Sequence, residues 1–226
     1  MYDEYYLRHG ADRNDLLTNP EVLFQSFAID RANISALRAI ELDRSTARVL
    51  DVGCGQGASL FQFLKLGFTA SNLTGIDNSS ERIEKARAVI PAARFEVGSA
   101  EQLPFDAGAF DLVFESTMLG TLESQSLLES IAKEMIRVTR PGGYIMLIDW
   151  RYSRRGSGVK TAISNDFVDR LFDAGRATHV VTRVRGALAP PLGRRLSRVA
   201  PSLYFLVQSV FPFAVAQITT VLRRRG

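Results

Sequence analysis

Val49-Leu50-Asp51-Val52-Gly53-Cys54-Gly55-Gln56-Gly57-Ala58-Ser59-Leu60 decides how the rest of this 226-residue chain is read. An apolar run ends next to an aspartate, three glycines follow at alternate positions, and an apolar pattern with helical spacing begins at once. That order is a strand, a tight turn and a helix. Gly53 to Ala58 also satisfies G-x-G-x-x-G/A, a turn in which glycine lets the backbone approach a ligand closely.

Outward from this turn the same unit repeats. Strands are expected at residues 47–52, 72–77, 93–98, 110–117 and 144–149, each short, apolar and flanked by turn residues. Helices are expected at 58–67, 79–90 and 126–139, the last stopping at Arg140-Pro141-Gly142-Gly143, where proline and two glycines oppose continuation. Strands interleaved with helices build a doubly wound α/β domain, whose ligands bind beyond the carboxyl ends of the strands where the winding reverses.

Length and composition fit one such domain over 1–226, with 46% hydrophobic residues. The single cysteine, Cys54, excludes an internal disulfide framework, and with His9 and His179 alone beside it no structural metal site is expected. A reducing, cytoplasmic setting is expected, since the first ten residues are acidic and aromatic where an export signal is basic and then apolar. Charge is uneven. Residues 1–150 hold 14 Lys+Arg and 21 Asp+Glu, whereas residues 151–226 hold 14 and 3. The basic third suits an anionic partner such as phospholipid, nucleic acid or a phosphorylated substrate, and equally a solvated arginine-rich face.

The glycine pattern alone suggests a dinucleotide, but Asp51 argues against it. A fixed carboxylate two residues before the first glycine repels the pyrophosphate that a helix N-terminus attracts. A ligand with cationic groups is welcomed instead, and S-adenosylmethionine carries an ammonium and a sulfonium. With 49–57, 73–87, 95–117 and 131–150 in this order, the chain resembles the class I S-adenosylmethionine-dependent methyltransferases, in particular the quinone-biosynthesis-like subgroup called methyltransferase type 11. The resemblance spans residues 45–150. It implies a Rossmann-like seven-stranded sheet whose last strand is antiparallel, with closing strands at 178–188 and 213–223.

By position the resemblance assigns Asp51 and the backbone of Gly53, Cys54 and Gly55 to the methionine portion of the cofactor. Asp77 takes the ribose hydroxyls, since one carboxylate can accept from both, with Asn78 next to the adenine. Ser99, Ala100 and Glu101 border the ring, with Ser99 where many relatives place an aspartate. Glu115 and Ser116 face the methionine end or the reaction centre. Each aspartate has a structural alternative as a cap of the following turn or helix. Cys54 reads as a small motif residue rather than a nucleophile, having no base nearby in sequence.

Methyl transfer from a sulfonium mostly requires alignment and exclusion of water. If the acceptor is a hydroxyl, His9, Tyr5, Tyr6 and Asp149 are candidates to take its proton, and His9 is the simplest choice. Two flanking segments are available to hold the acceptor. Residues 1–44 suggest an N-terminal helical lid, with a helix starting at Asn19-Pro20 and an apolar face of Val22, Phe24, Phe27, Ile34 and Leu37. Residues 151–226 suggest an acceptor-side segment plus the closing strands. Val199 to Leu222 carries no charge, which raises a membrane span, a core helix and strand, or a helix over 194–211 resting peripherally on an anionic bilayer. The expected acceptor is a small molecule, sugar, glycolipid or natural product, methylated at oxygen. No nucleic-acid partner is expected, because no N-P-P-Y-type tetrapeptide follows the fourth strand. A dinucleotide-dependent oxidoreductase and a nucleic-acid or protein methyltransferase are the competing readings.

Overall fold

The computed structural model describes residues 15–153, 158–173 and 175–226. Tyr5, Tyr6, His9 and the beginning of the expected lid therefore lie outside the described residues. Seven strands form one sheet: β1 (Val49–Val52), β2 (Leu73–Asp77), β3 (Arg94–Val97), β4 (Phe110–Ser116), β5 (Thr139–Trp150), β6 (Thr178–Arg185) and β7 (Gln217–Arg224). Their spatial order is β3-β2-β1-β4-β5-β7-β6. Pairs from β3 through β5 are parallel, and β7 runs antiparallel to both β5 and β6. The order reverses between β1 and β4, the neighbours that carry Asp51 and Glu115.

Alternation along β1 explains the two layers. Val49 points into the core shared with Leu60 and Phe63 of α2 (Ala58–Lys65) and with Ile83 and Ala86 of α3 (Ser80–Val89). Leu50 and Val52 point to the opposite core, closed by Leu128, Ile131 and Met135 of α4 (Gln125–Val138) and Val168 of α5 (Asn165–Leu171). Asp51 falls on the first face at the strand's carboxyl end. Ser79, Ser124 and Ser164 cap α3, α4 and α5 by accepting from the backbone N–H three residues on.

Three sequence expectations change. The turn at 140–143 belongs to β5, because Phe110 pairs with Thr139 and Leu112 next pairs with Tyr144, so the intervening residues loop out as an irregularity. The N-terminal helix α1 (Leu23–Arg38) buries Ala28, Ala32, Asn33 and Ala36, while Phe27 and Ile34 are 48% and 39% exposed. Small residues let α1 lie close against β6, β7 and α6 (Pro190–Val199); Val22, Phe24 and Leu37 of the expected face pack inward, and Phe27 and Ile34 are the large apolar side chains displaced outward. Of the alternatives for the uncharged C-terminal run, a single helix over 194–211 does not form, because α6 ends at Val199 and α7 (Tyr204–Val210) starts beyond Pro201, whose ring cannot continue the hydrogen-bond ladder. Among the described residues no helix is long and apolar enough to cross a membrane.

Many of the C-terminal arginines have structural work. Arg223 donates to the Gly142 carbonyl at 3.1 Å, Arg224 to the Arg137 carbonyl at 3.0 Å and to that of Thr139, and Arg225 to the Thr178 carbonyl at 3.4 Å. Arg183 pairs with Asp169, and Arg194 with Glu21.

Gly75 stands opposite Asp51 in the sheet, and a Cβ there would lie 2.7 Å from Cys54 Sγ and 2.8 Å from the Phe95 ring. Gly75→Ala is expected to destabilise the protein by about 1–3 kcal/mol through overpacking, lowering the thermal midpoint by several degrees in a calorimetric scan.

Candidate functional site

At the carboxyl end of β1 the chain turns through Gly53, Gly55 and Gly57, with φ of +75°, +53° and +84°. Side chains rarely adopt this left-handed region, which is why glycine alternates here. The Gly53 and Cys54 N–H groups both donate to the Ile76 carbonyl, at 2.8 and 3.0 Å, tying the loop to the end of β2. A Cβ on Gly53 would come 2.6 Å from Met118 Cγ, whereas one on Gly55 would meet nothing within 4 Å. The turn is thus closed on the β4 side and open at Gly55, where a ligand can approach.

Asp77 ends β2 and is nearly buried. Its Oδ2 accepts from the Gly55 N–H and its Oδ1 from the Ser79 N–H, both at 3.0 Å. Asp77 thus caps the turn that precedes α3, whose own cap is Ser79, and it links the glycine turn to the start of that helix. Asn78 beside it is exposed. Gly98 N–H donates to the Asp77 carbonyl at 3.0 Å, bringing the turn after β3 alongside. Within that turn Ser99 is exposed, Ala100 partly covered and Glu101 exposed, and Ser99 Oγ accepts from the Glu101 N–H at 3.2 Å.

Three carboxylates are buried along the ends of adjacent strands: Asp51 on β1, Glu115 on β4 and Asp149 on β5. Burial pushes the Asp51 carboxyl up to about 8, helped by the negative charge of Asp77. Burial also holds Glu115 well above the ordinary carboxylate range, with Asp149 and Asp51 adding repulsion and the backbone N–H bonds opposing the rise. Asp149 is pushed up to about 7 by burial, although the Trp150 and Gly120 N–H groups pull the other way. Among the described residues no hydrogen-bond donor reaches the buried Asp51 Oδ2 and Glu115 Oε1. Unsatisfied buried acceptors on ionisable groups are costly, and their clustering marks a site for a ligand that brings donors or positive charge.

The loop after β4 completes the wall. Glu115 Oε2 accepts from Met118 N–H at 3.1 Å and Leu119 N–H at 3.4 Å, and Asp149 Oδ2 accepts from Gly120 N–H at 2.7 Å. A Cβ at Gly120 would meet Asp149 Oδ1 at 2.5 Å, so the close approach requires glycine. Ser116 and Thr117, the latter at φ +60°, lead into this loop from the end of β4. The Gly120 carbonyl accepts from Lys160 and Thr161 N–H groups at 2.7 and 3.1 Å, so residues 158–164 reach the same edge.

Asp51, Gly53, Cys54, Gly55, Asp77, Asn78, Ser99, Ala100, Glu101, Glu115 and Ser116 thus all lie along the carboxyl edge of the sheet. His9 lies outside the described residues, and His179 sits exposed in β6. Cys54 is buried and its thiol is pushed up by burial and by Asp51 and Asp77, which keeps it protonated and unreactive. Two residues of the wall were missed: Met118, packed over Gly53, and Gly120, which seats Asp149. Neither has a local pattern, because each is selected by a neighbour distant in sequence.

Comparison with known proteins agrees with this geometry. The family model described as "Methyltransferase domain" matches residues 43–176. A fatty-acid O-methyltransferase of Mycolicibacterium smegmatis is 31% identical over 156 residues, covering 66% of this chain and 54% of that protein. A 2-methyl-6-phytyl-1,4-hydroquinone methyltransferase of Synechocystis is 37% identical over 106 residues, 45% of this chain and 31% of that one. The chain therefore spans only a third to a half of the length of these curated relatives. Among solved structures, an S-adenosylmethionine-dependent methyltransferase from Mesorhizobium loti superposes with a TM-score of 0.60 at 16% identity, covering 85% of this chain and 98% of that one. The [4+2]-cyclase SpnF superposes at 0.62 with 18% identity, covering 87% and 80%. These structural likenesses establish the fold, and a cyclase among them shows that the fold does not by itself dictate the reaction. With its seven-stranded topology, its glycine turn and the match of the family model to most of its length, the chain belongs to the class I S-adenosylmethionine-dependent methyltransferase family.

Proposed function

We propose that this protein transfers a methyl group from S-adenosylmethionine to a hydroxyl of a small-molecule, sugar-containing or lipid-linked acceptor. One observation carries the reading: among the described residues no donor reaches Asp51 Oδ2 or Glu115 Oε1, two buried acceptors flanking the point where the winding of the sheet reverses. An ammonium supplies three donors and a charge that offsets the desolvation of both carboxyls. A pyrophosphate supplies neither, which disfavours a dinucleotide.

The residues fit the group. Asp51 and the Gly53–Gly55 backbone would hold the methionine portion, with Glu115 and Ser116 at its far side. Asp77 already accepts two backbone bonds, which orient it, and each oxygen keeps a further acceptor site for a ribose hydroxyl. Asn78 and the Ser99–Glu101 turn would border the adenine. When bound, S-adenosylmethionine supplies a methyl group on a sulfonium that is already activated for displacement. The protein aligns the acceptor behind it and excludes water. Asp149, with its carboxyl near 7, is the described residue suited to take a proton from an acceptor hydroxyl. His9 stays a candidate for the same role. The fatty-acid O-methyltransferase and the hydroquinone methyltransferase among the relatives support an acceptor with an apolar part.

Incubating purified protein with methyl-labelled S-adenosylmethionine and a host extract is expected to transfer label to organic-soluble or sugar-containing material. Asp51→Ala should weaken cofactor binding roughly 10- to 100-fold, the loss expected for one charged contact, and abolish the transfer. Cofactor binding without any label transfer would assign the site to another reaction.

A second test uses pH. The folded Asp51 carboxyl titrates near 8, against 3.8 for the free side chain, so between these values the folded state holds a proton that the unfolded chain releases. The stability of the ligand-free protein should therefore fall as pH rises from about 5 to about 8. Asp51→Asn should flatten that slope in thermal scans, and saturating S-adenosylmethionine should stabilise the native protein more at pH ~8 than at pH ~6.

A further inference from the structure

The segment between α6 and β7 is held rigidly on one side and left apolar on the other. Tyr204 of α7 is fully buried, with its hydroxyl accepting from Leu188 N–H at 3.2 Å, and Gln208 one turn later is buried between Arg31 and the Gly186 carbonyl. The opposite face shows Leu203, Leu206 and Val210 at helical spacing, continued by Phe211 and Phe213 and preceded by Val199. These six side chains are between 44% and 70% exposed. Exposed apolar side chains gathered on one ordered segment in this way mark a binding surface more often than an accident.

The chain around it is basic. The last acidic residue of the chain is Asp173, and nine arginines follow it. Arg223, Arg224 and Arg225 hold strand and helix carbonyls, and Arg183 and Arg194 have acidic partners. Others border the apolar surface. Arg185 donates to the Ser209 carbonyl at 3.2 Å, Arg151 to the Pro212 carbonyl at 2.9 Å, and Arg195 and Arg198 stand exposed on α6 just before Val199. The Arg151 guanidinium lies 4.8 Å over the Tyr152 ring, whose hydroxyl donates to the Phe213 carbonyl at 3.3 Å. The tip carrying Phe211 and Phe213 is thereby fixed to the end of β5, two residues past Asp149.

We propose that this surface docks on an anionic phospholipid bilayer, Phe211, Phe213 and the α7 face entering the interfacial layer while Arg151, Arg185, Arg195 and Arg198 meet the head groups. A nucleic acid would use the arginines but would leave six apolar side chains in water. A bilayer interface takes both. Because the tip adjoins the carboxyl edge of the sheet, docking brings that edge to the membrane. The methyltransferase reading then acquires an acceptor class, an amphiphile withdrawn from the bilayer, and this consequence rests on that reading whereas the docking itself does not.

The full chain should float with phosphatidylcholine vesicles containing phosphatidylglycerol and remain below vesicles of phosphatidylcholine alone. Phe211→Ser with Phe213→Ser should reduce partitioning at least tenfold, and Arg195→Gln with Arg198→Gln roughly 20-fold at low salt. Circular dichroism and S-adenosylmethionine binding should be unchanged in both double variants, since all four side chains are exposed and outside the cofactor site. Failure of the intact protein to float with the anionic vesicles would overturn the proposal. So would a phenylalanine variant that floats as well as the intact protein, or one whose effect is confined to self-association without vesicles. Salt-sensitive binding to duplex DNA or RNA in place of vesicle binding would transfer the surface to a nucleic acid. Loss of cofactor binding in the intact protein, with flotation preserved, would sink the methyltransferase reading and leave the docking surface standing.

Discussion

Desolvation of three carboxylates at the carboxyl edge of the sheet is the constraint around which this structure is arranged. Burying an ionised carboxyl is expensive unless donors or positive charge accompany it. Among the described residues Glu115 and Asp149 receive backbone N–H groups as their donors, and Asp51 Oδ2 and Glu115 Oε1 receive none. The protein therefore holds these groups with their proton affinities raised, at the place where β1 and β4 diverge. A cation bound there would relieve the mutual repulsion and the desolvation together.

The glycines around the site are the geometric side of the same constraint. Gly53 admits Met118, Gly75 admits Cys54 and Phe95, and Gly120 admits the Asp149 carboxylate, each at a distance where a Cβ would collide. Close approach is what allows short loops to reach buried carboxyls with their N–H groups. Asp77 joins the two halves by accepting from the glycine turn and from the start of α3, so the loops after β1 and β2 are held relative to each other before any ligand arrives. Preorganisation of this kind reduces the ordering cost of binding.

The C-terminal third uses its charge in two ways. Arginines at the end of β7 satisfy carbonyls of neighbouring strands and helices, which accounts for part of the basic excess without any partner. The arginines around α7 border apolar side chains instead, on the same edge of the sheet as the carboxylates. The electrostatic asymmetry between acidic site and basic rim follows from this division.

Much of the fold was legible from local pattern. Five strands with helices between them lie within a few residues of where periodicity and turn chemistry put them, because each is decided by its own neighbours in sequence, and the two closing strands lie near where the family resemblance put them. Asp51, Asp77 and the glycine turn were legible for the same reason. What the sequence could not decide is long-range: that α1 would bury its alanines and leave Phe27 and Ile34 outside, that 140–143 would loop out of a continuous strand, and that Met118 and Gly120 would close the site. Those outcomes depend on how closely two distant segments can approach, a property of the packed molecule. The sequence by itself determined the order of elements and the residue types at the strand ends. Only the tertiary structure decided which carboxyls are left without donors and which apolar side chains are left outside, since burial exists only once the chain has folded.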